Sequence, residues 1–97
     1  MLTIFLFVPM LAQEESQNVR KGNKFYDKER YVDAEIEYRK GLEKNRNSFP
    51  GMFNLGNSLY RQGKYVESAH QFQQALNQVD SNDKKKRPKI NINITTS

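Results

Sequence analysis

A chain of 97 residues allows one modest domain, and its formal net charge of +5 comes from 16 Lys and Arg against 11 Asp and Glu. There is no Cys, which excludes disulfides, thiolate nucleophiles and Cys-based zinc sites. Lys84, Lys85, Lys86, Arg87 and Lys89 form one run and the rest of the chain is formally neutral, so the excess charge belongs to a tail and nucleic acid is not an expected partner.

Residues 1–12, MLTIFLFVPMLA, are almost wholly apolar and give way abruptly to QEESQ. As a helix this stretch would rise only about 18 Å, too little for a hydrocarbon core of about 30 Å. Its length suits the apolar region of a secretory signal peptide, with Ala12 before the cut and Gln13 as the new N-terminus. No Lys or Arg precedes the run and Met10 stands where a small residue is expected, so an uncleaved hydrophobic anchor is the other reading. Either way the chain is expected to be exported, in the periplasm or at a membrane.

Residues 13–80 carry an internal repeat. GNKFYDKERYV at residues 22–32 returns 34 residues later as GNSLYRQGKYV at residues 56–66. At that offset Gly22, Asn23, Tyr26, Tyr31, Val32 and Leu42 meet identical residues, while Phe25 meets Leu59, Ala34 meets Ser68 and Tyr38 meets Phe72. A period of this length points to a stacked array. Within each copy the apolar residues recur at helical spacing. Val19, Phe25 and Tyr26 form one stripe, and Tyr31, Ala34, Tyr38, Gly41 and Leu42 form the next. Phe53, Gly56, Leu59 and Tyr60, then Tyr65, Ala69, Phe72, Ala75 and Leu76, repeat them. Breaks fall at DKER, at RQG, where Gly63 suits a left-handed residue after a helix, and at NRNSFPG, where Asn47 or Ser48 can cap and Pro50 fits a first turn. The expectation is all-α: four helices of about 12–15 residues in two hairpins, over residues 15–48 and 49–82. Gly22 is expected to pack on Ala34 and Gly56 on Ser68, with aromatics in the flanking grooves. Gly41 inside a helix costs about 1 kcal/mol relative to Ala, which suggests close packing there.

Residues 81–97, SNDKKKRPKININITTS, have no helical stripe and read as a disordered basic tail. The period places a third copy from near Asp83, yet the chain supplies Lys89 and Ile90 after Pro88 where an apolar residue and a Gly are required. The chain therefore reads as a truncated or frame-shifted piece of a longer array. A surface made by Leu59, Phe72, Ala75 and Leu76 would be left partly uncovered and open to self-association.

A helical pair of period 34 with Gly22 and Gly56, Tyr31 and Tyr65, Ala34 and Ser68, and Leu42 and Leu76 at fixed places resembles the tetratricopeptide repeat (TPR). The second copy, FNLGNSLYRQGKYVESAHQFQQAL, is the fuller match; in the first, Lys21 replaces an apolar residue and Glu29 the turn Gly. With VRKGNKFYDKERYVDAEIEYRKGLEKN before it, residues 10–80 are similar to the N-terminal repeats of the TPR proteins of bacterial aerotolerance (Bat) operons, BatC-like. The resemblance implies a short right-handed solenoid and an envelope scaffold working beside von Willebrand A-domain proteins.

Little catalytic chemistry is legible. His70, the single His, reads as a solvated surface residue, and Asp33, Glu35 and Glu37 as a charged face with Arg39 and Lys40 as neighbours. No phosphate loop, zinc spacing or dinucleotide motif occurs. The chain is expected to be no enzyme and to need no cofactor or metal; its partners are proteins or peptides. The resemblance maps a concave groove onto Ser16, Val19, Asn23, Tyr26 and Asp27, then Pro50, Phe53, Asn57, Tyr60 and Arg61. There Asn23 and Asn57 could hold a peptide backbone, and Tyr26 and Tyr60 add flat apolar contact. The alternative is that these polar groups bond to neighbouring helices and keep the geometry of the array. A second function class is a membrane-attached structural module, with residues 1–12 retained and the basic tail on anionic lipid.

Overall fold

The computed structural model describes residues 10–83, with side chains described over residues 15–80. Four α-helices run in order: α1 (Met10–Asp27), α2 (Tyr31–Lys44), α3 (Phe49–Arg61) and α4 (Tyr65–Asp83). The fold is all-α among the described residues. α1 and α4, at 18 and 19 residues, exceed the expected length, and α4 continues into the stretch read as tail. Residues 1–9 and 84–97, with most of the apolar start and all of the basic run, lie outside the described residues. No helix among those described is long and apolar enough to cross a membrane.

The two hairpins turn in the same way. The Arg30 amide donates to the Phe25 carbonyl and the Glu29 amide to Tyr26; Lys64 repeats this to Leu59 and Gly63 to Tyr60, all at 2.9 Å. These paired bonds close each first helix and require a left-handed residue after it. Gly63 supplies it at φ +82°, and Glu29, at the equivalent place, takes φ +62°. Between the hairpins Ser48, not Asn47, is the cap. Its hydroxyl accepts from the Gly51 amide at 3.0 Å, and Pro50 sits in the first turn, where a missing amide hydrogen costs nothing.

α1 packs on α2, α2 on α3 and α3 on α4, with a lesser contact between α1 and α3; α4 packs on α3 alone among the described helices. Val19, Ala34, Tyr38, Leu55 and Leu59 form the core, flanked by Phe25, Tyr26 and Leu42. Inside each hairpin the glycine also lies against an aromatic ring. A Cβ on Gly22 would run into the Tyr38 ring, and one on Gly56 would lie 2.6 Å from the Phe72 ring. Ser68 meets Gly56 as expected, donating to its carbonyl at 2.8 Å. Gly41 is less confined than expected, because an added Cβ would stand at an ordinary 3.4 Å from Asn18 and the Glu15 carbonyl.

A polar layer lies on the same stripe. Asn18 donates to the buried Glu37 carboxylate at 3.0 Å and accepts from Lys44 at 2.7 Å, while Ser48 donates to the buried Glu15. Glu37 is therefore no solvated surface charge, although Lys40 does approach it at 3.6 Å. The signal was available: Glu15, Asn18, Val19 and Gly22 share one helical face, so its polar members are buried with its apolar ones.

Candidate functional site

The residues mapped to a groove divide by repeat. Val19 does not line a groove; it is buried in the core with Ala34 and Tyr38 of α2 and Leu55 and Leu59 of α3. Asn23 is exposed, but its Oδ1 accepts from the Tyr38 hydroxyl at 2.6 Å and from Asn54 at 3.2 Å. Tyr26 meets Tyr31 edge-on at 5.1 Å between ring centres and accepts from Arg61 Nε at 3.2 Å. The Arg61 guanidinium lies 5.9 Å from the centre of the Tyr26 ring and 5.8 Å from that of Tyr31, and the Tyr26 hydroxyl bond is the first of the interactions that hold it charged. Asn23, Tyr26 and Arg61 thus tie one hairpin to the next. Asp27 is exposed and Ser16 half-buried.

The burial of Tyr38 pushes its phenol up to about 12. Glu35 completes the seam. Burial raises its carboxyl, but hydrogen bonds from Gln62 and Arg39 and the charges of Arg39 and Lys64 outweigh that and hold it below the ordinary carboxylate value. The Gln62 bond, at 2.9 Å, reaches it from the α3–α4 turn.

In the second hairpin the equivalent residues are open. Phe53 and Tyr60 are exposed, and no hydrogen bond among the described residues engages the half-buried Asn57 amide. Phe53 stacks on Phe49 at 5.6 Å and leans on Phe72 at 5.4 Å, while Tyr60 leans on Tyr65 at 5.1 Å. Two cavities follow this surface. One of about 210 Å³ is lined by Phe49, Phe53, Phe72, Ala75 and Leu76, and one of about 450 Å³ by Tyr60, Tyr65, Ser68, Ala69 and Phe72. The uncovered surface differs from the expected one: Leu59 and Ala75 are already buried, and Phe49, Phe53, Tyr60 and Tyr65 join Phe72 and Leu76. His70 is exposed. A third cavity, about 740 Å³, opens between α2 and α4 among Arg39, Arg46, Gln71, Gln74 and Asn77. Sequence periodicity held no sign of it.

What the arrangement can do is bind. Contiguous exposed aromatic and aliphatic area with an unengaged amide at its edge is the chemistry of a protein contact. Residues 49–82, the whole of the second hairpin, match the tetratricopeptide repeat family. No curated protein and no solved structure matches the chain. The matched segment begins at the first residue of α3 and spans the α3–α4 hairpin, and the first hairpin repeats its turn geometry and its glycine–aromatic contact.

Proposed function

We propose that the chain is a non-enzymatic scaffold or adaptor that binds protein partners. Tetratricopeptide repeats generally mediate protein–protein interaction, and stacked helical hairpins present extended surfaces suited to it. The observation that carries the reading is the uncovered surface of the second hairpin, where Phe53, Tyr60 and Leu76 are exposed beside Asn57. The finer proposal follows the likeness of residues 10–80 to the TPR proteins of aerotolerance operons. The chain works in exported form at a bacterial cell envelope, with von Willebrand A-domain proteins among its partners.

Affinity capture from a bacterial envelope extract tests the scaffold reading. Asn57→Ala combined with Tyr60→Ala should reduce partner capture several-fold while far-UV circular dichroism stays unchanged, since both side chains are at least partly exposed. Equal capture by the double variant removes this surface from the proposal. The mass of the mature N-terminus tests export with cleavage: a chain starting at Gln13 supports it, and one retaining Met1 supports the anchored form.

A further inference from the structure

The repeat itself describes what the open surface is shaped to receive. In the first hairpin the equivalent surface is occupied, and its occupant is α3. Gly51 rests against Leu42, Leu55 and Leu59 enter the core beside Val19 and Tyr38, Asn54 reaches Asn23, and Arg61 reaches Tyr26 over Tyr31. Moved by 34 residues, that seat becomes Leu76, Phe53, Phe72, Asn57, Tyr60 and Tyr65. Val19 is 7% exposed where its counterpart Phe53 is 43% exposed, Tyr38 is buried where Phe72 is half-buried, and Tyr26, Tyr31 and Leu42 are half-buried where Tyr60, Tyr65 and Leu76 are exposed. One change loosens the seat for an outside ligand. Phe72 stands where Tyr38 gives its hydroxyl to Asn23, so the Asn57 amide keeps both its donor and its acceptor.

We infer that this face docks an amphipathic helix of a partner protein whose contact edge repeats the chemistry of α3. Resting on the scaffold reading above, the inference specifies the partner. The edge carries a small residue against Leu76, two leucines four residues apart over Phe53 and Phe72, an amide on Asn57, and a guanidinium over Tyr60 and Tyr65. A second copy stacked end to end is a poor occupant. Its α1 would bring Lys21 to the place of Leu55, Lys24 to that of Ser58 and Asp27 to that of Arg61. Leu55 and Ser58 are almost fully buried in the existing seat, and burying unpaired ammonium groups there is strongly unfavourable.

The probe is a labelled synthetic peptide of residues 48–64, with Phe49→Gln and Phe53→Gln on its outward side, titrated with the full chain and followed by fluorescence anisotropy. The expected result is saturable binding of one peptide per chain. It should weaken at least about tenfold when the chain carries Leu76→Glu, or when the peptide carries Leu55→Lys. Leu76 is mostly exposed, so the chain variant should keep its helical spectrum. Absence of saturable binding, or equal binding by the Leu55→Lys peptide or the Leu76→Glu chain, overturns the inference. So does sedimentation showing that the chain alone forms a dimer that Leu76→Glu dissociates. If the peptide fails while capture from the extract still responds to Asn57→Ala with Tyr60→Ala, the helix chemistry is wrong and the scaffold reading stands; if both fail, that reading falls too.

Discussion

At the scale of single residues, the two hairpin turns are a natural comparison of one backbone shape built with two side chains. Gly63 adopts a positive φ without steric penalty, and nothing lies within 4 Å of where its Cβ would be. Glu29 takes the same left-handed shape with a side chain attached, a conformation that costs an L-residue about 1–2 kcal/mol. Part of any gain from glycine is returned through the freer unfolded chain. Glu29→Gly should therefore raise the unfolding free energy by up to about 1 kcal/mol, and Gly63→Ala should lower it by about 1 kcal/mol, both read from urea midpoints. A loss of stability in Glu29→Gly would mean that its side chain contributes more than its backbone costs.

At the scale of elements, the hairpins differ at the aromatic that closes each one. Tyr38 is buried between α1 and α2 and donates to Asn23, whereas Phe72 has no hydroxyl. Because the folded phenol titrates at about 12 and the unfolded one near 10, the folded state holds the extra proton between those values. The stability tied to that proton is fully present below pH 10 and is lost as pH rises through 12. Tyr38→Phe should cost about 0.5–1.5 kcal/mol at pH 8 through the missing hydrogen bond, yet lose less than the parent chain between pH 10 and 12. Parallel urea-midpoint curves over that range would assign the alkaline loss to other groups. The elements themselves are legible in the sequence. The period of 34, the Gly63 turn and the Ser48 cap place all four helices. What a stripe faces was not legible, since periodicity reports that residues share a side and not what covers it. Val19 and Phe53 are equivalent by repeat, yet one is core and the other is surface, because α3 follows the first hairpin and no described helix follows the second. The candidate site suffered for the same reason. Asn23, Tyr26 and Arg61 have groove-like chemistry, but Asn23 bonds to Asn54 and Tyr38, and Tyr26 to Arg61, approaches that only the packing reveals.

At the scale of the whole molecule, packing is unevenly shared. α3 is held by the other three helices, whereas α4 is held by α3 alone among those described. Local openings draw first on the elements with the fewest partners, so amide hydrogen exchange should be fastest over α4 and slowest over α3. Mass spectrometry of exchanged peptides reads this directly, and uniform protection across the helices would show a single cooperative unit instead. The gradient also bears on recognition. Leu76 and half of the open aromatic face belong to α4, the helix with the fewest partners among those described. Any ligand there meets a competent surface only for the fraction of time that α4 is seated, and its apparent dissociation constant is the intrinsic one divided by that fraction. Substitutions that seat α4 more firmly, without touching the ligand, should then act as affinity-enhancing changes.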